Sequence, residues 1–151
     1  MKKISFSLAM IAFSWLLAGL AAAQKVPAND HLYKAFGEKP GLVLLMDDFM
    51  TRLLADTRTE PHFRPANQQH VKEQLVAQFC VLGGGPCVYK GADMKTSHAD
   101  LEISKADFHA LVEVLQLSMD ARGITFRQQN EMLALLAPMH RDIITPPQPG
   151  R

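Results

Sequence analysis

Leu42-Val43-Leu44-Leu45-Met46-Asp47-Asp48-Phe49-Met50-Thr51-Arg52-Leu53 decides the fold class. Leu42, Leu45, Met46, Phe49 and Leu53 recur at steps of three and four, which gathers them on one face of an α-helix. Working outward, three more stripes obey the same rule. Val71, Leu75, Phe79 and Leu82 form one, stopped by Gly83-Gly84-Gly85-Pro86, which cannot be helix interior. Phe108, Leu111, Val112, Leu115 and Met119 form the next. Ser104 and Asp107 stand before it as a capping box, and Arg122-Gly123 gives a basic last turn and a glycine stop. Leu133, Leu136, Ala137, His140 and Ile144 form the last, behind a second capping box at Thr125 and Gln128. Pro138 inside it predicts a kink or a break. Asp56-Thr57-Arg58 ends the first stripe, and Pro61 starts a connector. No stretch alternates with period two, and Val88-Tyr89, the best strand candidate, is too short. The expected class is all-α, with a loop-rich stretch from Gly83 to about Lys95.

The 151 residues allow one ordinary domain, and 48% hydrophobic with 21% charged excludes wholesale disorder. A formal charge of +1 without a long Lys/Arg run argues against a nucleic-acid binder. At the start, Lys2 and Lys3 precede an uncharged stretch from Ile4 to Leu20, then Ala21-Ala22-Ala23 and Gln24. That is the pattern of a secretory signal peptide cleaved after Ala23. A retained membrane anchor is the alternative, and the Ala-x-Ala exit favours cleavage, which would leave no membrane segment. The expected organisation is a signal peptide at 1–23, a domain at 24–145 and a loose Pro-rich tail at 146–151, in a periplasmic or secreted protein.

Searches for a P-loop, a G-x-G-x-x-G before a helix, H-E-x-x-H, C-x-x-C-H and the usual Ser or Cys nucleophile signatures all fail. Of the six histidines, His98 stands out slightly. It lies in Met94-Lys95-Thr96-Ser97-His98-Ala99-Asp100-Leu101, after the loop and before a strong helix. A helical protein rich in Met and Phe, with a histidine near its core, is one way to hold a haem.

The order of the pieces resembles the group I truncated haemoglobins. Leu32-Tyr33-Lys34-Ala35-Phe36-Gly37 is similar to their opening motif, and Asp47 to Asp56 to their second-helix motif. Phe63 sits where the family keeps a phenylalanine stacked on haem. Leu82 to Pro86 and Tyr89-Lys90-Gly91 resemble its glycine hinge and following loop. Met94-x-x-x-His98-x-x-Leu101 resembles its proximal-histidine motif, and Ile103-Ser104-x-x-Asp107-Phe108 and Ala137-Pro138-Met139 complete the series. The resemblance runs from about Leu32 to Ile144. It implies a two-over-two helical sandwich around one non-covalent haem b, with His98 on the iron. Phe63, Phe49, Leu111, Leu115, Met132 and Leu136 would enclose the ring, and Lys95, or less strongly Lys72, would reach a propionate.

The distal side departs from the family. Many relatives place tyrosine after the phenylalanine matching Phe49; here Met50 stands there, and a thioether donates nothing. An ungapped alignment puts Val71 and Leu75 at the two common distal positions. A one-residue slip would put His70 and Gln74 there, but the Phe63 and Pro86 anchors favour the ungapped version, with Gln74 and Gln78 flanking. Cys80 and Cys87 bracket the glycine hinge, and export would let them form a disulfide; two free thiols are the alternative. The function implied is reversible binding of oxygen, nitric oxide or carbon monoxide. A haem-dependent redox enzyme served by an unidentified redox partner (a nitric-oxide dioxygenase or peroxidase-like protein) and a haem-free helical interaction module are the alternatives.

Overall fold

Gly37, at φ +77°, turns the chain from α1 (His31–Ala35) into α2 (Glu38–Ala55). The computed structural model describes residues 29–145; the expected leader at 1–23 and tail at 146–151 lie outside the described residues. Then come α3 (Glu60–Phe63), α4 (Gln68–Leu82), α5 (Met94–His98), α6 (Lys105–Ala121), α7 (Phe126–Leu136), a 3-10 turn at Ala137–Met139 and α8 (His140–Ile143). The long helices are those the four stripes predict, and no strand forms among the described residues. None of these helices is long and apolar enough to cross a membrane.

The caps are set by the sequence. Ser104 accepts from the Asp107 amide while the Asp107 carboxylate accepts from Ser104; Thr125 and Gln128 exchange the same pair of bonds. After α6, Gly123 at φ +70° lets its own N–H reach Asp120 O and the Ile124 N–H reach Met119 O, a Schellman ending. Pro61 departs from the expected connector, and Pro138 makes the break that the sequence allowed. Pro61 falls in the first turn of α3, where its missing N–H costs nothing. Pro138 breaks the last stripe outright, so Leu136 ends α7 and His140 begins α8.

The helices pair as α2 with α4 and α6 with α7, and the pairs cross through α2–α6 and α4–α7 contacts, a two-over-two arrangement. The seam is apolar: Leu42, Leu45, Met46, Phe49 and Leu53 of α2 meet Val76, Phe79 and Cys80 of α4 and Val114, Leu115 and Met119 of α6. Its polar groups are satisfied. Thr59 Oγ1 donates to Leu53 O at 2.8 Å, Ser118 Oγ to Val114 O at 3.1 Å, and Gln129 Nε2 to Asp120 Oδ1 and Ile124 O. Cys80 and Cys87 sit across the hinge with their Cα atoms 5.9 Å apart and their sulfurs at bonding distance. The turn is tight: Gly84 takes φ +83°, and a Cβ at Gly85 would lie 2.7 Å from both Cys80 Sγ and the Tyr33 ring.

Candidate functional site

A cavity of about 900 Å³ opens between α4 on one side and α5, α6 and α7 on the other. That volume is at the upper end of the roughly 300–1,000 Å³ typical of small-molecule and cofactor sites. Its walls are mostly apolar. Phe49 and Phe63 close the α2–α3 end; Leu111 and Leu115 come from α6, Leu133 and Leu136 from α7. α4 contributes a wide face of His70, Val71, Gln74, Leu75, Gln78 and Phe79. Residues of both distal alignments thus stand on one wall, because neighbouring positions on a helix are about 100° apart and the cavity spans more than that.

His98 ends α5 and lines the cavity, half-buried. The helix that carries it is started by Asp93, whose side chain accepts from the Thr96 amide at 2.8 Å and from its hydroxyl at 3.1 Å. Those bonds hold the Asp93 carboxyl below the usual carboxylate range. His98 Nδ1 lies 2.8 Å from Met94 O. A carbonyl only accepts, so Nδ1 carries a proton and Nε2 is the ring nitrogen left for another partner. This is the arrangement of a metal-binding imidazole, with Met94 O as the outer partner that orients it.

Several expected wall residues stand elsewhere. Met50 is 5% exposed and Met132 fully buried, but neither lines the cavity; Phe49 and Leu133, one position away, do. Met132 belongs to the core between the helix pairs. Lys95 is exposed on α5 and off the cavity wall. Lys72 faces a separate surface groove with Tyr33 and Cys87, where its Nζ donates to Asp47 Oδ1 at 2.7 Å, so it is not available to the cavity.

The two glutamines differ in state. Gln78 Nε2 points its hydrogens at two thioethers, Met139 Sδ at 3.4 Å and Met94 Sδ at 3.7 Å, tying α4 to both neighbours. Gln74 Oε1 is buried and has no partner. Tyr89, Gly91 and Ala92 of the loop, and His62 and His109, also reach the wall without having been singled out for it in sequence. His62, beside Phe63, was the readable one; its Nε2 lies 3.7 Å from Asp107 Oδ1. The Ser104 bonds, with His62 as a lesser contributor, hold the Asp107 carboxyl below its ordinary value.

Residues 31–145 match the family model described as bacterial-like globin. The group 1 truncated hemoglobin GlbN of Mycolicibacterium paratuberculosis is 29% identical over 114 residues, covering 76% of this chain and 84% of that protein. The group 1 truncated hemoglobin of Tetrahymena pyriformis is 25% identical over 113 residues, covering 75% and 93%. The crystal structure of truncated hemoglobin from Tetrahymena pyriformis in its Fe(III) form superposes with a TM-score of 0.71 at 25% identity, covering 75% of this chain and 97% of that one.

Proposed function

As a member of the bacterial-like globin family this chain is a haem-binding globin, and we propose that His98 would hold the haem iron and that the protein reversibly binds oxygen, nitric oxide or carbon monoxide on the α4 side of the cavity. The observation that carries the reading is the His98 ring itself: Nδ1 is spent on Met94 O, and Nε2 is left free on a ring that lines the cavity. The rest of the wall fits a flat apolar group with one polar face to satisfy. Phe63, Leu111, Leu115 and Leu136 offer apolar contact, and the unpartnered Gln74 Oε1 marks a polar position on the other side.

Bound haem supplies an iron that takes one protein ligand and one small gas; the protein's part is orientation, polarity and access. His98 is aimed by the carbonyl of its own helix. Val71, Leu75 and Phe79 exclude water from the gas side, and Gln74 brings the amide that is not already committed. α2 supplies no hydroxyl there, since Phe49 faces the cavity and Met50 does not. Oxygen retention therefore depends on α4.

Export is part of the proposal. The Lys2–Gln24 pattern supports a cleaved signal peptide, and the placement of Cys80 and Cys87 supports a disulfide pinning the hinge in an oxidising compartment. A visible spectrum of the exported protein is the test. A Soret band that shifts reversibly with oxygen and with carbon monoxide is the expected result. No band after reconstitution with haemin overturns the reading. The amino-terminal sequence and the count of alkylatable thiols in the same sample check the leader and the bond.

A further inference from the structure

The amide of Gln74 poses a problem that gas binding alone does not solve. An unpartnered buried acceptor is costly, and native structures keep few of them. What surrounds Gln74 is specific. The space over Gly91 has no room for a methyl: a Cβ there would lie 2.5 Å from Gln74 Oε1 and 2.4 Å from the Tyr89 hydroxyl. Two oxygens, one from α4 and one from the loop, thus flank a space that only a missing side chain keeps open. The Tyr89 hydroxyl donates to Ala92 O at 3.0 Å. A phenol has one hydrogen, free to turn between acceptors. Gln74, Tyr89, Gly91 and Ala92 all line the one cavity.

We infer that Tyr89 is the positioning residue of the gas site: its hydroxyl, which donates to Ala92 O, turns its one hydrogen to the unpartnered Gln74 Oε1 beside it, fixing the Gln74 amide with its NH₂ group toward the gas. The inference rests on the gas-binding reading above. An amide is nearly the same shape either way round, so something must decide which end faces the ligand. With Oε1 inward, Gln74 would repel the partial negative charge of an oxygen ligand; with NH₂ inward, it attracts it. A tyrosine outside the helices thus takes over the control that a hydroxyl on α2 does not supply. Gln78 is no substitute, because its NH₂ group already faces Met94 and Met139.

The full-length holoprotein, with carbon monoxide and oxygen as probes, tests this. Gln74→Leu speeds oxygen release about tenfold or more and raises the C–O stretching frequency, as loss of a donor does. Tyr89→Phe moves both readouts the same way, with release faster by about threefold or more. Gly91→Ala does likewise without removing either polar group, because its Cβ displaces them. In the Gln74→Leu background, Tyr89→Phe adds nothing. A Tyr89→Phe protein with wild-type frequency and release, or one whose shifts persist unchanged in the Gln74→Leu background, overturns the inference and leaves Gln74 as donor. Gln74→Leu without effect on either readout removes the donor itself, and with it the role of Tyr89. Failure of the wider reading shows elsewhere, as a purified protein without a haem band.

Discussion

The two sides of the cavity are held in opposite ways. α4 has 15 residues, and its back face is sunk in the core through Val76, Phe79 and Cys80. α5 has five residues, and none of them is buried. A helix that short lies far below the roughly 12–15 residues at which isolated helices become even marginal. Its shape comes from the Asp93 cap, the His98–Met94 bond and contact with the still shorter α8. The wall proposed to meet the gas is therefore part of the globin's framework, whereas the His98 wall, proposed to offer the iron its ligand, is conditional. Any group that binds the folded His98 segment and not the unfolded one will stabilise it by mass action.

Removing the ligand should break this contrast most. His98→Ala should abolish the axial-ligand signature and speed haem transfer to an acceptor apoglobin. The increase should exceed the roughly 10–100-fold typical of losing an outer-shell partner. An unchanged spectrum would mean that another residue holds the iron. On the framework side, Leu45→Ala deletes a side chain with 0% exposure and should cost about 2–5 kcal/mol in denaturant unfolding, while leaving the axial signature intact.

Asp93→Ala should do the reverse. It should speed haem transfer with a modest loss of stability, and that loss should be local to α5 by hydrogen exchange. Acid should act through the same group. The folded Asp93 carboxyl lies below the ordinary carboxylate range, so its contribution is complete above that range and fades as the pH falls through the lower, folded value. Asp56, drawn down to about 2 by its Arg58 hydrogen bonds, behaves the same way on the framework side. Haem release should accelerate below about pH 4 in the wild type and lose part of that pH dependence in Asp93→Ala. The smallest effect belongs to Lys95→Ala. This residue is exposed and off the cavity wall, and replacing it should leave haem transfer within a factor of about two, as for other exposed charges.

Sequence made the framework legible because its signals are local. Both capping boxes, the Gly123 stop and the four apolar stripes each depend on residues within a few positions of one another. The motif around His98 singled out that residue, and the structure brings its ring to the cavity. What stayed hidden was the difference between core and cavity. Met132 and Leu133 are both apolar and adjacent on α7, and only the placement of α4 and α6 decides that the second faces the void. Met50 and Phe49 repeat the problem on α2. Tyr89 and Gly91 sit in a loop without periodicity, so nothing in their spacing connects them to Gln74. Lys72 looked like a propionate anchor until Asp47, on another helix, claimed it.

One bond outside the cavity bears on how long the fold lasts once formed. The Tyr33 N–H donates to Gly83 O at 2.9 Å, seating α1 on the hinge that ends α4. It joins distant parts of the chain, so the seat closes only after the entropy of a long loop has been lost. If the seat forms after the transition state for folding, it must be broken on the way out. Its strength then sets the rate at which the native globin comes apart more than the rate at which it assembles. The first turn of helix would then be a latch on kinetic persistence, through a backbone bond whose two residues do not line the cavity.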